Sequence, residues 1–462
     1  MTAPNTLLTP DQAVLWNLER RGPGLHVAGL ALVDGEIDRQ ELLHWMGRLR
    51  RLPRFSLRVD GPPYGPPRWR PAPFELDKHL HVVANGDPAS AFDEALGKPL
   101  DPRRPLWEFH LAPGYHDGGD ALLVKSHLVA VDGLGTGDLF HALFASGTTV
   151  EEKKAGEPAS NGARCGARGA EWLQNWTLIG QHLAAGLQEL TSEDTRTALL
   201  TLNETMPDLA LPPVPMPFNR KLGGRRRLIR CAFSYRDIRL IRARLGGALS
   251  DVVVALAGGA LERYLDLRGV STRGRSLRVA LATDLPERDR KRRSLLPIEV
   301  PLSVGAADRL RTVHQLARLM RTARVADVLS RFAGVQGAAG PLAAAATAMT
   351  SSLRPPFHLT VANANGPQIP QFLAGRPLSG YTPSWPIGYG QGLSCAFFAY
   401  NQALHVGVTV DERACPDAEV LPDLLAESFD ELREAAGRAP RRRRRSVPAP
   451  SKPRQFHNLE TP

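Results

Sequence analysis

The sequence predicts a mixed α/β (α+β) protein in which one arrangement of strands and helices is built twice, once in each half of the chain. Three observations carry this. Continuous apolar and β-branched runs such as "DALLVKSHLVAV" read as buried strands, whereas "SDVVVALAGGALERYLDLRG" carries apolar residues at helical spacing and ends at Gly269. Both kinds of segment flank "SGTTVEEKKAGEPASNGARCGARGAE", residues 146–171, whose Gly, Ala and charge without apolar periodicity mark an exposed linker. Finally, 462 residues, 43% hydrophobic and 23% charged, suffice for two ordinary domains or one large two-lobed unit with an ample core.

In chain order, the linker is followed by a helical stretch over roughly residues 171–200. Next comes the proline-rich "MPDLALPPVPMPFNR", which is extended because each proline restricts itself and its predecessor. "SLRVALATDL" and "PFHLTVANANG" read as strands, and "LSCAFFAYNQALHVGVTVD" as two strands joined by a turn at Asn401-Gln402. "PLAAAATAMTSSLRPP" is a buried helix of small residues, too short to span a membrane and ended by proline. "PDAEVLPDLLAESFDELREAAG" is an amphipathic helix closed by Gly437. No repeat occurs at solenoid periods. The chain divides into a lobe at 1–145, a linker and crossover helix at 146–217, a second lobe at 218–437 and a basic tail at 438–462.

Several function classes are excluded. No apolar run reaches the roughly 18 residues of a membrane-spanning helix, and "MTAPNTLLTPDQ" lacks the basic start and apolar stretch of a signal peptide, so the expected location is the cytoplasm. There the sequons at Asn175 and Asn203 carry no meaning. Cys165, Cys231, Cys395 and Cys415 lie far apart without a CxxC pair and read as free thiols, with neither zinc site nor disulfide framework. His79 and His81 in "HLH" have the spacing that puts two rings on one strand face, but no third ligand is evident, and no metal is expected. "DGLGTGD" lacks both the lysine of a P-loop and the full GxGxxG pattern, so it reads as a turn into a helix.

A net charge of +11 and a pI near 9.8 invite a nucleic-acid partner or an anionic surface. No RNP or zinc-finger motif accompanies the charge. Part of the excess is the run Arg441, Arg442, Arg443, Arg444 and Arg445 among prolines, a solvated, disordered arm. Its functional reading is attraction to anionic phospholipid, about 1 kcal/mol per basic residue near the surface.

Ordered blocks then carry a resemblance. "LLTPDQAVLWNLERRGPGLHVAGLALVDG", "FELDKHLHVV", "KPLDPRRPLWEFHL" and "KSHLVAVDG" resemble, in order, the N-terminal blocks of the bacterial wax ester synthase/diacylglycerol acyltransferase family. "FNRKLGGRRRLIRCAFSYRDIRLI", "LSDVVVALAGGALERYL", "LRPPFHLTVANANGPQIP" and "GQGLSCAFFAYNQALHVGVTVD" resemble its C-terminal ones, over about residues 7–437. The resemblance implies two similar chloramphenicol-acetyltransferase-like lobes with a tunnel between them. Acyl-CoA enters as substrate, with no cofactor, and meets diacylglycerol or a long-chain alcohol. The second histidine of HHxxxDG removes the acceptor's proton, a step that typically contributes about 10²- to 10⁴-fold. It also implies tunnel or substrate proximity for Trp107, Ser250, Asp251 and Asn363, and a structural role for Asp132 and Gly133. With the basic tail, it points to an anionic membrane or lipid-droplet surface at the inner face.

One letter of the motif differs. Aligning Asp132-Gly133 with its DG puts His127 at the first histidine and Leu128 at the second, and leucine has no lone pair to accept a proton. In an extended segment, residues 127 and 128 point to opposite faces, so His127 replaces the missing base only after a local shift such as a bulge. Ser250-Asp251 stands for the family's Asn-Asp, its Gly-Asn is not recognisable, and "NANGP" carries Asn365 for proline. On the residues alone, His127 reads as a core histidine, Asp132 as a buried ion pair or cap, Ser250 as a helix N-cap and Trp107 as core packing. Three functions follow: an O-acyltransferase relying on positioning, an impaired member that binds acyl-CoA or neutral lipid, and a transferase to an amine or thiol, which needs less deprotonation.

Overall fold

The computed structural model describes residues 6–19; 24–131 without 53, 62–66, 84–86 and 117; 140, 143 and 144; and 192–438 without 287–290, 339–354 and 389. The first half holds β1 (Thr6–Leu7), α1 (Pro10–Glu19), β2 (His26–Asp34), α2 (Arg39–Met46), β3 (Leu57–Asp60), β4 (Arg68–Pro71), β5 (Leu80–Val82), α3 (Pro88–Gly97), β6 (Trp107–His116), β7 (Gly119–His127) and the single turn α4 (Leu128–Val131). The second half holds α5 (Glu193–Thr205), β8 (Arg226–Ser234), α6 (Tyr235–Leu245), α7 (Leu249–Leu267), β9 (Ser276–Pro286), β10 (Lys291–Pro301), α8 (Ala306–Thr322) and α9 (Val325–Ala338). It continues through β11 (Leu359–Asn365), β12 (Phe372–Leu373), β13 (Arg376–Ser384), β14 (Leu393–Tyr400), β15 (Ala403–Asp411) and α10 (Leu421–Arg438).

Local chemistry sets many of these boundaries. Asp38 and Asp87 cap α2 and α3 by accepting the first backbone N–H groups, and Pro88 occupies the first turn of α3, where its missing N–H costs nothing. Ser234 caps α6 in the same way. The turn between β14 and β15 places Asn401 and Gln402 at φ 45° and 61°, the left-handed pair that a two-residue hairpin needs. Gly437 does not end the last helix, which runs one residue past it to Arg438.

The mixed α/β class with two lobes is what the structure contains. One six-stranded sheet has the order β12-β13-β2-β7-β6-β5 and the other β10-β9-β11-β14-β15-β8, with a small sheet β1-β4-β3 beside the first. The division of the chain at residue 218 is not a division of the sheets: β12 and β13, from the second half, complete the first sheet, with β13 antiparallel to β2. The crossing is close. A Cβ at Gly407 of β15 would lie 1.8 Å from the Pro383 carbonyl oxygen on β13, so only glycine fits there.

Two large apolar clusters hold the lobes. One packs α7, α8 and α10 on the second sheet, with Val252, Leu256, Leu310 and Leu432 buried. The other lies between the sheets and joins Trp107, Leu122, Val124 and Leu128 to Ala362, Phe398 and Tyr400. At its centre Phe140 meets Phe398 at 4.8 Å and Tyr381 at 4.9 Å between ring centroids, pairs that contribute about 0.5–1.5 kcal/mol each beyond burial. The site lies where this second cluster meets the end of β7.

Candidate active site

The expectation of a strand running through "HLVAV" is corrected: β7 stops at His127, and Leu128–Val131 form one helical turn. The opposed facing of residues 127 and 128 nevertheless holds. Leu128 and Val131, three apart on that turn, join the cluster between the sheets, while Val129 and Ala130 turn to a smaller cluster with Trp16 and Trp69.

His127 is committed elsewhere. Its Nε2 contacts the Glu19 carboxylate at the end of α1, and its Nδ1 accepts the backbone N–H of Val129 at 2.9 Å. An ionised carboxylate only accepts, so Nε2 carries the proton and the ring is the neutral tautomer with both nitrogens used. His26, opposite His127 across the β2–β7 pair, donates to the other oxygen of Glu19 at 3.0 Å, and Trp16 meets His127 edge-on. Burial pushes the His127 imidazole down to about 4, outweighing the attraction of Glu19. Burial works to raise the Glu19 carboxyl, but the His26 hydrogen bond and the neighbouring imidazoles bring it below its usual range. The arrangement binds α1 to β2 and β7, and it leaves no lone pair for a substrate proton.

On the same face as His127, Lys125 is fully buried. Its ammonium donates to the carbonyls of Ala95 and Lys98 at 2.7 and 2.6 Å and to Glu108 Oε1 at 2.9 Å. It closes the C-terminal end of α3, where unpaired carbonyls favour a cation.

Between the sheets lies a cavity of about 60 Å³ lined from both, including Gly29, Val124, Val131, Asn363, Tyr381 and Phe398. Its wall is apolar with few polar groups. Ser384 is already paired with Thr409 at 2.8 Å, whereas the Tyr381 hydroxyl and the Asn363 amide have no hydrogen-bond partner among the described residues. Burial raises the Tyr381 phenol well above its usual range, so it stays a donor. Gly29 makes room for it: a Cβ there would sit 1.9 Å from the Tyr381 hydroxyl.

Of the residues singled out in the sequence, Asn363 borders this cavity and Leu128 belongs to the cluster around it. Trp107 is outside the lining. It is buried with its indole donating to the Phe55 carbonyl at 2.9 Å and its ring stacked on His79 at 4.0 Å. Ser250 is not an N-cap: α7 begins at Leu249, and Ala248 takes the cap position because the Asp251 carboxylate reaches back to its N–H at 2.9 Å. The buried Asp251 also receives His314 at 2.7 Å and Arg321 at 2.9 Å, fastening α8 to α7 away from the cavity. Asp132, Gly133, the linker, the 341–354 segment and Arg441–Arg445 lie outside the described residues. Glu19, Lys125 and Tyr381 were missed in the sequence; each is a lone polar residue whose partners come from distant segments.

Comparison with known proteins agrees with this architecture. The wax ester synthase/diacylglycerol acyltransferase catalytic domain matches residues 8–253, and the C-terminal domain of the same family matches residues 294–433. A putative diacylglycerol O-acyltransferase of Mycobacterium tuberculosis is 27% identical over 351 residues, covering 73% of this chain and 76% of the relative. A second from the same organism is 28% identical over 392 residues, covering 78% and 74%. Among solved structures, a wax ester synthase/diacylglycerol acyltransferase from Marinobacter aquaeolei VT8 superposes with a TM-score of 0.62 at 22% identity, covering 94% of this chain and all of that one. The first condensation domain of the calcium-dependent antibiotic synthetase gives 0.57 at 15% identity, covering 94% and 97%, so the two-lobed fold is shared beyond the family. With more than half its length matched by the catalytic domain and most of the remainder by the C-terminal one, this chain belongs to the wax ester synthase/diacylglycerol acyltransferase family.

Proposed function

We propose that this chain is an acyl-CoA-dependent O-acyltransferase that moves a fatty acyl group to a lipid alcohol, diacylglycerol or a long-chain alcohol, without an imidazole base at position 128. The observation that carries this reading is the apolar cavity between the lobes, with Tyr381 and Asn363 as its unpaired polar groups. An apolar wall suits an acyl chain, and two fixed donors suit the thioester oxygen as it gains charge. The alcohol oxygen forms the new C–O bond, the C–S bond breaks, and the alcohol's proton ends on the CoA sulfur. An imidazole at 128 would carry that proton; here the route is water. Positioning alone supplies several kcal/mol, so the reaction runs slowly rather than not at all.

A second reading rests on Leu128 and on the fully bonded His127: a chain that binds acyl-CoA or neutral lipid without turnover. One assay separates the two. Transfer from labelled long-chain acyl-CoA to diacylglycerol and to a fatty alcohol is measured for the native chain and for Leu128→His. Activity of the native chain above a denatured control supports the transferase; activity of Leu128→His alone supports the binding protein. Turnover with a thiol or amine acceptor only would move the assignment to that acceptor class.

The same reading brings the chain to an anionic lipid surface through Arg441–Arg445. Flotation with anionic vesicles is expected to fail once residues 439–462 are removed; unchanged flotation rejects this route.

A further inference from the structure

On the first sheet, on the face opposite the cluster of Trp107, Phe109 and Leu111, three ligand-type side chains converge. His81 of β5 is paired in parallel register with His110 of β6. Glu108 lies two residues before His110, and strand alternation puts all three on one face. The two imidazoles lie 4.8 Å apart between centroids at 28°. Glu108 Oε1 is 3.1 Å from His110 Nε2, Oε2 is 4.0 Å from His81 Nε2, and ligand atoms of the three residues all lie within 4.8 Å of one another. The expected neighbour His79 is not part of the group, since its ring is stacked in the core on Trp107.

We propose that His81, Glu108 and His110 bind a divalent transition-metal ion of the zinc class at the β5 edge of the first sheet. Two imidazole nitrogens and one carboxylate oxygen form a borderline donor set for such ions, with a further position open to water. Glu108 is oriented from behind: buried Lys125 bonds Oε1 and leaves Oε2 toward His81. Lys125 also opposes a second cation, so a dissociation constant on the order of micromolar is expected. The ion would fasten β5, a three-residue strand that among the described residues pairs only with β6, to the rest of the sheet.

The test uses the full chain, freed of metal with a chelator and titrated calorimetrically with Zn²⁺ at pH 7.5. A 1:1 complex is expected. His81→Ala, at a half-exposed position that leaves folding intact, and His110→Ala are each expected to weaken it by more than about 100-fold, beyond the roughly 10- to 100-fold loss of a supporting residue. His44→Ala, on exposed α2 surface, is expected to leave it unchanged. Zn²⁺ should also raise the melting temperature of the native chain but not of His81→Ala. Absence of a 1:1 complex, or equal binding by native chain and His81→Ala, overturns the proposal whatever the transferase assay returns.

Discussion

On one face of β7, Lys125 and His127 are buried and fully partnered, by Glu108 and two carbonyls in one case and by Glu19 and a backbone N–H in the other. On the other face, Val124, and past the strand's end Leu128 and Val131, bring no side-chain polar atom to the space between the sheets. Lys125 and His127 are spent on holding α3 and α1 in place. What remains toward the cavity is shape, with Tyr381 and Asn363 as its unpaired donors. An imidazole at 127 is therefore no substitute for one at 128: the two side chains face opposite ways, His127 toward protein dipoles and Leu128 toward the apolar cluster between the sheets.

The largest effect should come from the partnered face. Lys125→Ala leaves Glu108 hydrogen-bonded to His110 alone and strands two helix-end carbonyls, and urea unfolding is expected to show a loss of about 3–5 kcal/mol. A loss below about 1 kcal/mol would erase the contrast between the faces. On the cavity side, Tyr381→Phe removes a donor without changing shape. In whichever of the native chain or Leu128→His turns over, kcat/KM should fall about 10²- to 10³-fold with little change in melting temperature.

Glu19→Gln tests the bridge between His26 and His127, and about 1–3 kcal/mol of unfolding free energy should disappear. The burial of His127 at this bridge sets a pH dependence. The folded His127 refuses a proton down to about 4, whereas unfolded histidine takes one up near 6.5. The unfolded state thus binds more protons in that window, and stability falls as pH drops from about 6.5 to 4. The depressed Glu19 carboxyl extends the decline as pH falls through its folded value. Unfolding free energies measured across this range should lose part of their slope in His127→Gln, the rest being carried by other buried histidines such as His358, which burial also pushes down to about 4. The smallest effect belongs to the exposed pair of Arg376 on β13 and Glu41 on α2, where Glu41→Ala should cost no more than about 1 kcal/mol in the same unfolding assay.

What was legible in the sequence is what neighbours in the chain decide. The β14–β15 hairpin and its turn follow from alternating apolar runs around Asn401-Gln402, and α7 from its own periodicity. That residue 128 offers no lone pair was equally legible, because a leucine there is a chemical fact before any fold. The end of β7 was not: "HLVAV" is as apolar as a strand, and the helical turn goes with His127 Nδ1 accepting the Val129 N–H and with the segment dividing its side chains between two clusters. Ser250 resembled a cap because Ser usually is one, yet Asp251 answers to His314 and Arg321, 63 and 70 residues away. His79 and His81 looked like a pair by spacing, and tertiary packing sent one to the core and the other to β6.

The position of β13 in the first sheet has a consequence for how the protein is made. Gly29 of β2 waits for Pro383, about 350 residues later in the chain. At ribosomal speeds of about 5–20 residues per second, that delay is roughly 20–70 s. Throughout it, the β2 edge is an unpaired row of backbone donors and acceptors, open to the same edge on a neighbouring nascent chain. The lobe synthesised first is thus sealed nearly last. Expression yield should accordingly depend on holdase chaperones during translation, and a chain truncated before residue 376 should aggregate rather than yield a free first lobe.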